Sequence, residues 1–244
     1  MSHTPNHYSA PGTPITQRTV GELVAERPGR SRVFQTYGID FCCQGARTLA
    51  EACERKSIAV DVVLDELEAE ALEKSEPMDN PADLPVHELC SYIVDTHHGF
   101  LRRELPRLQA MAQRVAHVHG GHTPSLVEVF EVYTTMAEEL GSHMLKEEQI
   151  LFPAVEALSQ GAAPHMPLDG PIACMMHEHD DAGQALARMR DLTNGFVPPP
   201  EACNTYRALF AGLQDLEKDL HRHIHLENAV VFPKAQAMMS AACG

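Results

Sequence analysis

The chain has 244 residues, with 34 acidic against 19 basic side chains and a formal net charge of −15. That balance excludes a partner held through a nucleic-acid backbone, which needs a basic stripe. No long apolar run appears, and the N-terminal MSHTPNHYSAPGTPITQ has no apolar h-region, so the expectation is a cytoplasmic protein without a membrane span.

Residues 1–17, rich in Pro, Ser, Thr and His, read as a flexible tail. Residues 18–73 follow as a small N-terminal helical domain. Thr19 with Glu22, and Thr48 with Glu51, each spell a capping box. Between them lies YGIDFCCQG, Tyr37 to Gly45, which sets Cys42 beside Cys43 in a glycine-bounded turn. The polar stretch KSEPMDNPAD, 74–83, carries two prolines and reads as a linker. The seven cysteines are odd in number and form no regular framework, so most are expected to be buried apolar residues in a reducing compartment.

From 84 to 240 the pattern predicts helices at roughly 84–118, 124–160, 170–194 and 201–239, broken at HVHGGHTP, SQGAAPHMPLDGP and NGFVPPP. The fold class is therefore all-α, an up-down four-helix bundle behind a small helical domain. Pro106 and the two Phe-Pro sites fall inside predicted helices and are expected to kink or end them.

One pattern occurs twice. HMLKEEQILFP, from His143, and HIHLENAVVFP, from His223, both place Glu four residues after His and Phe-Pro five residues beyond. On the second helix the ladder Met136, Leu140, His143, Glu147, Ile150, Ala154 keeps both polar residues on the apolar stripe. On the fourth, Leu216, Leu220, His223, Glu227, Val230 does the same. A His-Glu pair turned into a core needs compensation for its lost hydration, and a metal centre supplies it.

The other two helices offer matching groups. On the first, Val94, His98, Leu101, Leu105, Leu108 is an apolar ladder, while His97 shares a neighbouring one with Ile93 and Phe100. Phase alone leaves both histidines open. On the third, Ile172, Met175, His179, Ala182, Leu186, Met189 contains His179. His177 lines up with Asp181, Gln184 and Arg188, and His221 and His225 with Lys218 and Asn228, which read as solvated faces. His98 to His143 spans 45 positions and His179 to His223 spans 44, as two equivalent hairpins would. Any one of these histidines alone is better explained as a satisfied core residue; the doubling and the spacing favour metal. Zinc-protease HExxH is absent, and an imidazole-rich set with two carboxylates suits two bridged transition-metal ions such as iron.

With these residues placed, the sequence resembles the iron-sulfur cluster repair di-iron proteins, the repair of iron centres family. YGIDFCCQG is similar to that family's paired-cysteine domain. HMLKEEQILFP, the PIxxMxxEHDxAG frame (Pro171 to Gly183) and HIxLEN (His223 to Asn228) are similar to its hemerythrin-like domain. The resemblance implies iron ligands at His98, His143, Glu147, His179, His223 and Glu227, and so selects His98 over His97. It implies two non-haem iron ions in a carboxylate-bridged centre, and a cytoplasmic stress-response role in repairing clusters damaged by nitrosative or oxidative stress by supplying iron. Implied partners are damaged iron-sulfur proteins and nitric oxide or another small diatomic ligand, with a homodimer left open. A binding role, sequestering nitric oxide at the same centre, is the alternative. Conventional enzyme activity is not expected, although redox chemistry on nitric oxide or peroxide stays open. Glu139 and Glu178 are candidates for groups beside the ligands or a solvent channel, Glu148 reads as external, and Cys42 and Cys43 are candidate functional thiols.

Overall fold

The computed structural model describes residues 12–72, 80–162 and 167–242. Most of the expected tail and linker, with His3, His7, His165 and Cys243, lies outside them. By its contacts the chain divides into Met1–Pro85 with Ile224–Lys234, and Val86–His223 with Ala235–Gly244. No helix among the described residues is long and apolar enough to cross a membrane.

The first unit packs α1 (Val20–Glu26), α2 (Arg30–Thr36), α3 (Leu49–Arg55) and α4 (Val60–Leu72). Both expected capping boxes form. The Thr19 and Thr48 hydroxyls accept from the Glu22 and Glu51 amides, and each glutamate reaches back to the threonine N–H. These two helix starts are tied together, because Val20 N–H donates to Arg47 O and Leu49 N–H to Arg18 O, both at 2.9 Å. Leu23, Phe34, Phe41, Leu49, Cys53 and Val63 make the core, and Ile224 belongs to it.

This packing overturns one expectation. His225, read as solvated, is buried, with the Phe41 ring edge-on at 5.6 Å. The helical wheel is silent about a neighbour contributed from far away in sequence. Burial lowers the His225 pKa to about 4, against an upward pull from the Phe41 backbone. A depressed folded-state pKa means that stability is full above about pH 6.5 and falls as pH drops toward 4, with an upper limit of about 3 kcal/mol. Urea unfolding of His225→Leu across that window is expected to give a flatter pH profile than the parent. Parallel profiles would remove His225 as the cause.

The second unit is built on long rods. The first runs through α5 (Val86–Ile93), a π turn at Val94–His98 and α6 (Gly99–His119). The second runs through α7 (Ser125–Lys146), a π turn at Glu147–Leu151 and α8 (Phe152–Ser159), and the third is α9 (Asp169–Leu192). The last, whose residues Ile224–Lys234 belong to the first unit, runs through α10 (Asn204–Leu226), a π turn at Glu227–Val231 and α11 (Phe232–Ala242). The core of this unit stacks Leu101, Leu108, Tyr133, Met136, Leu186 and Leu213 in one apolar cluster. The buried Tyr133 hydroxyl donates to Leu105 O at 2.9 Å.

None of the prolines expected to kink or end a helix ends its rod. Pro106 sits within α6, which continues past it. The Phe-Pro pairs do not end their rods either. Each follows a π turn closed by an i→i+5 bond, from Phe152 N–H to Glu147 O and from Phe232 N–H to Glu227 O. Pro153 thus starts a fresh α segment, where a missing N–H costs nothing. Among the cysteines, Cys53 and Cys90 are buried as expected and Cys42 is buried too, whereas Cys174 and Cys203 are exposed.

Candidate metal centre

The three π turns coincide with the motif residues. His98 closes the first, Glu147 opens the second and Glu227 opens the third. Such widened turns cost regular hydrogen bonding and recur at functional sites. Here they also shift register by one. Ile93, five residues before His98, is fully buried where Val94 is not; Leu151 is 1% exposed while Ile150, expected inward, is 50% exposed. The uninterrupted α9 buries all six members of its predicted ladder.

His98, His143, Glu147, His179, His223 and Glu227 are all essentially out of solvent. His98 Nε2 faces His223 Nε2 at 3.2 Å, and His143 Nε2 faces His179 Nε2 at 3.2 Å. Between these pairs stands Glu147. Its Oε2 lies 3.3 Å from His98 Nε2 and its Oε1 lies 3.2 Å from His143 Nε2. Neither oxygen receives a hydrogen bond of acceptable geometry. Glu227 repeats the arrangement on its own helix, four residues after His223 and fully buried at the head of a π turn.

The outer nitrogens fix the tautomers. His98 Nδ1 is 2.6 Å from Glu148 Oε1, and His143 Nδ1 is 2.8 Å from Glu178 Oε2. Burial pushes both carboxyls up, but hydrogen bonds from His98 and Arg102 to Glu148, and from Lys146 and His143 to Glu178, hold each below the usual range. Ionised carboxylates only accept, so each Nδ1 carries the proton and each Nε2 presents a lone pair inward. Nitrogens about 2.1 Å from one ion, at angles between octahedral and tetrahedral, stand about 3.0–3.4 Å apart. The observed spacings fit a cation between the two members of each pair, with one oxygen of Glu147 for each cation.

Glu148 was expected to be external and is not. It is half-buried and also paired with Arg102. A ladder drawn at 3.6 residues per turn cannot place it, because it sits in the π turn. Glu178 bridges His143 and Lys146, and Glu139 is exposed. Both line a cavity of about 290 Å³ that reaches His143 and His179. His97, left open on phase, is buried beside the centre: its Nδ1 is 3.0 Å from Asp219, and its ring stacks on His223 at 5.4 Å. His177 is exposed as expected. Asp40, Cys42 and Cys43 form a separate group, with their ligand atoms within 4.8 Å of one another.

Comparison with known proteins gives two domains. Residues 91–235 match the hemerythrin HHE cation binding domain, and residues 16–71 match ScdA_N, a domain of unknown function. Among curated relatives, the iron-sulfur cluster repair protein YtfE of Edwardsiella ictaluri is 42% identical over 221 residues, covering 89% of this chain and 96% of its own. The proteins of that name from Pectobacterium atrosepticum and from Escherichia coli O1:K1 are 38% and 42% identical, each over 89% of this chain and 96% of their own.

Proposed function

Because the chain belongs to the iron-sulfur cluster repair family, we propose that it restores damaged iron-sulfur clusters from a two-iron centre held by His98, His143, Glu147, His179, His223 and Glu227. The observation that carries this reading is the buried Glu147 carboxylate, whose two oxygens each face a different imidazole pair. A fully buried carboxylate with no hydrogen-bond donor is costly, and two cations between the facing nitrogens would offset that cost. Glu227, matched to Glu147 by position in the repeated motif, supplies the second carboxylate.

The chain's own groups set how the ions are held. Four neutral imidazoles and two carboxylates suit iron, and they bind it less tenaciously than a cage of thiolates. Bound iron would supply the ions that a degraded cluster has lost. Glu148 and Glu178 keep His98 and His143 in the tautomer that presents Nε2. The cavity beside His143 and His179, edged by Glu139, Lys146 and Glu178, provides the route for small species. Damaged iron-sulfur proteins are the clients of this reading, and the cytoplasm is its setting.

Incubating the iron-loaded protein with aconitase whose cluster has been degraded is expected to restore aconitase activity. The His143→Ala/His223→Ala protein, purified in parallel, is expected to restore none above background. Equal recovery with both would overturn the reading.

A further inference from the structure

The nonapeptide Tyr37 to Gly45 is fixed more tightly than a surface turn requires. Gly38 ends α2 in the left-handed region at φ +62°, and Ile39 N–H returns to Phe34 O at 2.9 Å. Asp40 Oδ1 then accepts from the amides of Cys42 at 3.0 Å and Cys43 at 2.9 Å. At the far end, a Cβ on Gly45 would fall 2.6 Å from Phe41 O, so only glycine fits. Asn228 Nδ2 donates to Cys42 O at 3.2 Å from the C-terminal side.

This bracing sets the two sulfurs 3.7 Å apart, with Cys42 Sγ 3.2 Å from Asp40 Oδ1. A disulfide needs about 2.05 Å. Two thiolates on one tetrahedral ion, at about 2.3 Å each, stand about 3.8 Å apart. We propose that Asp40, Cys42 and Cys43 form a second cation site, taking one thiophilic divalent ion such as ferrous iron or zinc through two sulfurs and a carboxylate oxygen. Cys42 is buried and braces the site, while Asp40 and Cys43 are half-buried and give an ion access from solvent. Three protein ligands leave a tetrahedral ion one position for an incoming group, the arrangement of an exchange site rather than a closed structural one.

Binding is balanced by protons. The Cys43 hydrogen bond, burial and Asp40 all hold the Cys42 thiol well above its ordinary pKa, so it is protonated in the absence of an ion. The entering cation displaces one proton from each sulfur to solvent. Two thiolates and one carboxylate then surround two positive charges.

Cobalt(II) titration of the full-length, reduced protein under anaerobic conditions tests the proposal. The His/Glu centre contains no sulfur, so sulfur-to-cobalt charge-transfer absorption reports cysteine ligation, and cysteine variants assign it to the loop. The expected result is a band whose final amplitude matches about one sulfur-ligated cobalt ion per chain, lost when zinc displaces it. Cys42→Ser and Cys43→Ser should each abolish the band. Asp40→Asn should weaken the affinity roughly tenfold or more, and Cys174→Ser/Cys203→Ser should leave the band unchanged. Cys43 is only half-buried, so Cys43→Ser with parental helicity by circular dichroism decides the matter even where Cys42→Ser misfolds. Absence of the band, its survival in Cys43→Ser, or an unaltered affinity in Asp40→Asn would overturn the proposed site. Iron content and Mössbauer spectra of Cys43→Ser report the His/Glu centre independently, so either proposal can fail without the other.

Discussion

Glu147→Leu is expected to bind no coupled pair of metal ions and yet, compared metal-free, to unfold at higher urea concentration than the parent. The carboxylate is fully buried, faces two imidazole nitrogens at 3.2 and 3.3 Å and receives no hydrogen bond. In the metal-free protein its desolvation is poorly compensated. Leucine is similar in size, and the histidines left behind can remain neutral. Replacing a buried ion pair by apolar side chains of similar volume is often neutral or stabilises by about 1–4 kcal/mol, and a carboxylate that lacks donors has less still to lose. In iron-loaded protein the order should reverse, since bound metal stabilises only the folded state that binds it. Urea curves with and without iron, alongside iron stoichiometry, measure both signs. A metal-free Glu147→Leu protein less stable than the parent, or one retaining two irons, would contradict the bridging role.

Glu148→Ala and Glu178→Ala are each expected to weaken iron binding roughly ten- to a hundredfold while leaving all six proposed ligands in place. Each carboxylate fixes the proton on one imidazole Nδ1, and each is itself clamped by a cation, Arg102 on Glu148 and Lys146 on Glu178. Without it the imidazole can adopt the other tautomer, turning a proton rather than a lone pair toward the centre. Glutamine retains a carbonyl acceptor, so Glu148→Gln and Glu178→Gln should recover part of the loss. Competition with a chelator of known affinity gives the numbers. Alanine variants that bind iron as tightly as the parent would show that packing alone orients His98 and His143.

The sequence was most legible where a helix kept one period throughout. Every apolar partner of His179 on the third rod is buried, because nothing interrupts α9 between Ile172 and Met189. Across the π turns the 3.6-residue period fails. A regular ladder turns Ile150 inward where Leu151 is buried, and turns Glu148 outward although Glu148 binds His98. The signal for this was present in the repeated Phe-Pro: a proline just beyond a buried glutamate has no amide to complete an ordinary turn. His225 failed for a different reason. Its burial depends on Phe41, and no local period encodes a partner 184 positions away. The capping boxes, by contrast, need only four consecutive residues each and form as read.

The widened turns also make length itself a functional variable. Removing one residue between Asn228 and Val231 would let the rod relax into ordinary 3.6-residue winding, a more comfortable backbone. Phe232, five residues after Glu227 across the widened turn, would then stand four residues after it and on nearly the same side of the rod. What the cut would remove is the opened backbone at Glu227 itself, which marks these irregular turns as places where regularity has been given up for function.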